Sequence, residues 1–91
     1  MVKDDSTSAG DPPAAVQSVD RALTVLEIVA SLGQAGVTEI AAELGVHKST
    51  VSRLIAVLEA RGYVERISER GKYRLGFAIP RLAHVAGGQS D

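Results

Sequence analysis

Cysteine is absent from the 91 residues, and histidine occurs only as His47 and His84. A disulfide framework and thiolate metal ligation are therefore excluded, and the two histidines lack the spacing of a recognised ligand set. Packing alone must hold the fold. Long hydrophobic runs are missing too. No apolar stretch approaches the roughly 18 to 20 residues that cross a bilayer, and Met1 to Ala15 lacks the basic start and apolar middle of a signal peptide. No membrane partner is expected, and a cytoplasmic setting is. No glycine-rich phosphate loop follows a strand pattern, and no serine, histidine and aspartate form a recognisable nucleophilic arrangement. The reading therefore assigns no catalytic residue, no cofactor and no metal, and does not expect an enzyme.

What is present is a 45% hydrophobic chain long enough for one domain with one modest core. Its net charge of −1 conceals an uneven distribution. Met1 to Val46 carries two basic residues against seven acidic ones, whereas His47 to Arg81 carries eight basic against three acidic. The second half therefore holds the field that attracts phosphate.

Residues 1–16 are rich in Asp, Ser, Ala, Gly and Pro without apolar periodicity, which predicts a disordered arm. A folded unit is expected over 17–77, followed over 78–91 by the start of a linker helix and a frayed end. Ser18 is a plausible N-cap for a helix that runs to Leu32, with Gly33 and Gly36 beyond it. The apolar arc of that helix spans about 220°, far wider than the roughly 100° stripe of an ordinary amphipathic helix. Val25, Ile28 and Leu32 are read as the flank that meets another copy of the chain or a following domain, the alternative being that the hairpin wraps the helix.

Thr38 is read as the cap of a short second helix ending at Leu44, with Gly45 as its stop. A third helix starts near His47 or Lys48 and reaches Arg61, where Gly62 ends it. Tyr63 to Ile67 is β-prone, Ser68 to Gly71 is a turn, and Lys72 to Leu75 alternates, so a hairpin is expected. Beyond it, Ile79, Leu82, Ala83 and Val85 mark a further helix starting from Pro80.

Helix, short turn, helix and basic hairpin is the order of a winged helix-turn-helix, mainly α with a small β-hairpin. The spacing of Ala41, Gly45 and Val51 supports it: a small residue lets the second helix cross the first, glycine permits a positive φ in the turn, and a branched residue anchors the second helix. Ile40, Leu44, Val46 and Leu54 fill the remaining core positions. On the third helix Val51, Leu54, Ile55 and Leu58 form the buried side, while Ser49, Ser52, Arg53 and Ala56 point outward with no large apolar residue among them.

Such a face suits the major groove, where arginine pairs bidentately with guanine and an alanine can touch a thymine methyl. Ser49, Ser52, Arg53 and Ala56 are thus the candidate base contacts. Candidate backbone contacts are Thr38, His47, Lys48 and Thr50, with Arg70, Lys72 and Tyr73 on the hairpin, where Arg66 and Arg74 add charge. The other reading is a protein-interaction or dimerisation module, in which the serines and Arg53 are only a solvated face.

Ser18-Val19-Asp20-Arg21-Ala22-Leu23, Glu39-Ile40-Ala41, Lys48-Ser49-Thr50-Val51-Ser52-Arg53-Leu54 and Tyr73-Arg74-Leu75-Gly76 resemble the N-terminal domain of the IclR family of bacterial regulators. The resemblance extends from Gln17 to Leu82. It implies palindromic double-stranded DNA as partner, bound by a homodimer, and control by a small organic effector through a C-terminal domain absent from these residues. Many members carry proline before the Lys-Ser-Thr segment, where this chain has His47.

Overall fold

The computed structural model describes residues 14–67 and 70–87. Three helices come first: α1 over Ala14–Leu32, α2 over Val37–Leu44 and α3 over Lys48–Ala60. A two-residue strand β1, Ala35–Gly36, lies between α1 and α2, and β2 (Val64–Arg66), β3 (Lys72–Leu75) and α4 (Ala78–Val85) follow. The sheet is antiparallel in the order β1-β3-β2, with Ala35 opposite Tyr73 on one side and Glu65 opposite Arg74 on the other. This is the three-helix core and wing of a winged helix, with a small third strand that the sequence reading does not contain.

α1 begins at Ala14. Ala14 to Val16, assigned by sequence to the arm, are therefore its first turn, and Ser18 lies inside the helix instead of capping it. Ala14 and Ala15 follow Pro12-Pro13 in the sequence, and alanine is the strongest helix former, so the propensity of this stretch favours the earlier start. The rest of the expected arm, and Ser68 and Glu69 of the expected turn, lie outside the described residues.

The core is built from Val25 and Val29 of α1, Ala35 of β1, Ile40 and Ala41 of α2, Val51, Ile55 and Leu58 of α3, and Val64 and Tyr73 of the sheet. On α1 and α3 these members recur at spacings of three or four, on α2 Ile40 and Ala41 are neighbours, and the three helices all pack on one another. Val25 is wholly buried there and cannot belong to an intermolecular surface. Ile28 is half-buried against the same core, and Leu32 alone of the three expected interface residues is largely exposed. Val16, Val19 and Leu23, centred about 150° from Val25 on the helical wheel, are exposed as Leu32 is, so the other flank of the arc lies in solvent.

Two close backbone approaches fix how the motif sits. Gly45 has φ 78°, and its N–H and that of Val46 both donate to the Ala41 carbonyl at 2.8 and 3.2 Å. That left-handed conformation costs an L-residue about 1 to 2 kcal/mol, which is why glycine closes α2 there. At the other end of α3, Gly76 N–H donates to the Tyr63 carbonyl and Ala78 N–H to the Gly62 carbonyl, at 2.8 and 2.9 Å. A β-carbon on Gly76 would fall on the Gly62 carbonyl oxygen. The wing is thereby seated backbone on backbone against the end of α3.

α4 starts two residues before the expected Pro80, which becomes its third residue. Proline is tolerated there because the first amide hydrogens of a helix have no partner within it. None of the residues of α4 is buried.

Candidate nucleic-acid interface

α3 presents two faces. Val51, Ile55 and Leu58 are buried, and Leu54 is half-buried beside them. Lys48, Ser49, Ser52, Arg53 and Ala56 are all exposed, while Thr50 is half-buried at the border. Neither Lys48 nor Arg53 has an ion-pair partner among the described residues. His47 occupies the cap position in an extended conformation and is exposed; its carbonyl accepts from Thr50 N–H and Val51 N–H, and its imidazole does not cap the helix. One correction is needed. Val57, 58% exposed, stands one turn beyond Arg53, so the outward surface does include a large apolar side chain at its flank.

The wing differs more from its expected form. Tyr73 is 5% exposed, because β3 is the central strand and turns this ring into the core. Its hydroxyl accepts a hydrogen bond from Arg66 Nη2 at 3.0 Å. The tyrosine expected to reach a phosphate is thus a core residue with its oxygen already engaged. Lys72 Nζ donates to Glu39 Oε1 at 2.7 Å, and Arg74 Nε donates to Glu65 Oε2 across the ladder. Arg70 is exposed at the start of the described part of the turn. Arg66, Lys72 and Arg74 are therefore already engaged within the fold.

The start of α2 and the wing form a cleft of about 360 Å³ lined by Thr38, Glu39, Arg66, Arg70 and Lys72 together with the backbone around Gly36 and Gly71. Thr38 is exposed on this cleft as the second residue of α2, not its cap. The cap is Gly36, whose N–H donates to Glu39 Oε1 at 2.8 Å. This is one half of a capping box, the half that needs no side chain at the cap. Lys72 and this backbone hydrogen bond hold the Glu39 carboxyl below the usual range for glutamate. The sequence reading overlooked Glu39, although the spacing from Gly36 to Glu39 is the cap-to-third-residue spacing that signals a capping box.

The order of elements, the turn at Gly45 and the seating of the wing describe a winged helix-turn-helix whose third helix is free along one side. Residues 18–68 match the IclR helix-turn-helix domain. The chain belongs to the IclR family. It is 35% identical over 77 residues to the HTH-type transcriptional regulator XynR of Escherichia coli, covering 84% of this chain and 31% of that protein. To the transcriptional repressor IclR of the same organism it is 37% identical over 62 residues, covering 67% of this chain and 23% of the repressor. The crystal structure of an IclR family transcriptional regulator from Brucella abortus superposes with a TM-score of 0.75 at 30% identity, over 89% of this chain and 32% of that one.

The IclR-type domain is a DNA-binding domain of transcriptional regulators, and these relatives are regulators, not enzymes. The chain spans about a third or less of the length of the relatives it matches. Among the described residues no helix is long and apolar enough to cross a membrane.

Proposed function

We propose that this IclR-type domain recognises a specific operator in double-stranded DNA, with α3 in the major groove and the wing against the sugar-phosphate backbone. The observation that carries the reading is the exposed side of α3: hydrogen-bonding serines, an arginine without an ion-pair partner and a small alanine on one face, with the core residues on the other. Arg53 is the residue for guanine, Ser49 and Ser52 meet base edges, and Ala56 permits close approach. Lys48, Thr50 and His47 at the start of the helix, with Thr38, Arg70 and Lys72 at the cleft, hold phosphates and set register.

A homodimer placing two α3 helices in successive major grooves, about one helical turn apart, would match a palindromic operator. Effector control belongs, on this reading, to a C-terminal domain outside these residues, and the cytoplasm is the compartment in which such a regulator meets DNA.

The test is selection of bound duplexes from a random pool, followed by fluorescence anisotropy of the selected and a shuffled duplex at two salt concentrations. Operator recognition predicts a palindromic consensus and tighter, salt-sensitive binding to the selected duplex. Enrichment of nothing, with equal affinity for both duplexes, would reduce the domain to a non-specific binder. No binding at any salt would leave the interaction-module reading in its place.

A further inference from the structure

Lys72 of the wing is already holding an anion that belongs to the protein. Glu39 Oε1 accepts from Lys72 Nζ at 2.7 Å and from Gly36 N–H at 2.8 Å, so a single carboxylate oxygen receives one charged donor and one backbone donor. The arrangement is built by two elements at once. Glu39 stands in the first turn of α2, and Lys72 begins β3 directly opposite Gly36 in the ladder. Thr38, Arg66 and Arg70 line the same cleft, with Arg66 donating to the Tyr73 hydroxyl. Glu39 is the one carboxylate among the described residues lining that cleft.

We propose that Glu39 is an internal competitor for DNA phosphate: its carboxylate occupies Lys72, and a phosphate that docks on the wing takes Lys72 from it. The proposal rests on the DNA-facing reading of the wing given above. Both side chains are substantially exposed, 37% for Lys72 and 49% for Glu39, so a phosphate oxygen can reach the ammonium group without unfolding anything. An exposed ion pair of this kind is weak enough to exchange for a charge-assisted bond to phosphate. After the exchange Glu39 keeps its bond to Gly36 N–H, so the start of α2 is not lost. The carboxylate nevertheless remains near the phosphate that displaced it, and this repulsion lowers the affinity. Glu39 thus sets how strongly the wing binds the backbone of any duplex, and contributes nothing to the reading of bases.

Glu39→Gln tests this cleanly, because the amide oxygen still accepts from Gly36 N–H while the charge on Lys72 is released. Duplex affinity is measured by anisotropy for the wild-type chain, Glu39→Gln, Lys72→Gln and the double variant, each with a selected and a shuffled duplex. Glu39→Gln is expected to bind both duplexes roughly two- to fivefold tighter at about 0.1 M salt, with the gain shrinking as salt screens the charges. In the Lys72→Gln background the same substitution is expected to gain little. Wild-type binding with no gain in Glu39→Gln overturns the competitor role alone, as does a gain that persists in full without Lys72, which would make Glu39 a general repulsive charge. Absence of binding in all four proteins removes the DNA-facing reading and this inference with it.

Discussion

Arg66 and Tyr73 face each other across the β2–β3 ladder and are joined twice. Arg66 Nη2 donates to the Tyr73 hydroxyl at 3.0 Å, and the guanidinium carbon stands 5.3 Å from the centre of the ring. The contact ties the wing's backbone-paired strands to a side chain whose ring is part of the core. Tyr73→Phe removes the hydrogen bond and keeps the ring, so the folded state should lose about 0.5 to 1.5 kcal/mol, the usual net worth of such a bond. Urea denaturation measures it. An unchanged midpoint would show that solvent serves Arg66 as well as the hydroxyl does.

Arg53 and Lys48 both lie exposed on α3 but are assigned different work, which a pair of substitutions separates. Arg53→Ala should cost about 1 to 3 kcal/mol of operator affinity and relax the preference at one base pair. Lys48→Ala should weaken operator and shuffled duplex alike and flatten the plot of log affinity against log salt by about 0.9. Neither should shift the thermal midpoint by much, since surface substitutions away from caps and pairs usually stay within about 0.5 kcal/mol. Identical losses of specificity in the two variants would contradict the assignment of bases to one and phosphates to the other.

The turn between α2 and α3 supplies the sharpest stability prediction. Gly45→Ala retains every contact but places an L-residue at φ 78°, at a cost of about 1 to 2 kcal/mol. Ile40→Ala, at a wholly buried position on α2, should cost about 2 to 5 kcal/mol. Chemical denaturation of both variants is the measurement, and a Gly45→Ala protein as stable as the parent would mean that the turn relaxes into another conformation.

Much of this architecture is legible in the residues because local chemistry and global packing agree. Gly45 needs its left-handed φ, Ala41 needs to be small, and Val51 needs to be branched and buried, all for one crossing of α2 and α3. The face of α3 is legible for the same reason, its period leaving Ser49, Ser52, Arg53 and Ala56 opposite Val51, Ile55 and Leu58. The failures have physical causes too. Ala35-Gly36 is a strand only because β3 lies beside it, and two residues carry no period of their own. On α1 the polar face of Asp20, Thr24, Glu27 and Ser31 leaves an apolar arc wider than one core uses, and the width alone does not tell which flank packs inside, as Val25 does. Tyr73, of a residue type more often core than DNA-facing, and Lys72 fall among the expected phosphate contacts because alternation within one strand does not reveal that the strand is central, or that Glu39 lies across from it.

Acid should weaken the link between α2 and the wing. Lys72 and the Gly36 amide lower the carboxyl pKa of Glu39 in the folded chain relative to the unfolded one. The stability this contributes is therefore fully present above the ordinary glutamate range and is lost as pH falls through the lowered folded value. Thermal midpoints of the wild type and Glu39→Gln, followed from neutral pH downward, should differ most near neutrality and converge in acid. Curves that stay parallel throughout would show that the carboxylate charge is not what couples the two elements.

The exposed flank of α1 predicts self-association. Val16, Val19 and Leu23 are 53%, 60% and 55% exposed and form one stripe, on the side of the helix away from Val25 and Val29. Three large apolar residues in a row on water form the kind of patch that a partner covers. If α1 supplies the homodimer contact, Val19→Glu with Leu23→Glu should leave a folded monomer in sedimentation velocity, with a far-ultraviolet spectrum like that of the parent. Val25→Glu is the contrasting variant. A charge at a wholly buried position should unfold the domain rather than divide it, because an ionised carboxylate in the core has neither water nor a partner. The original assignment of Val25 to the interface predicts the opposite, a folded monomer from that single change, so the two placements of the interface give opposite results for one protein. A dimer that survives the double substitution on α1 would move the contact elsewhere, and α4, with Leu82 and Val85 exposed, is the next surface to change.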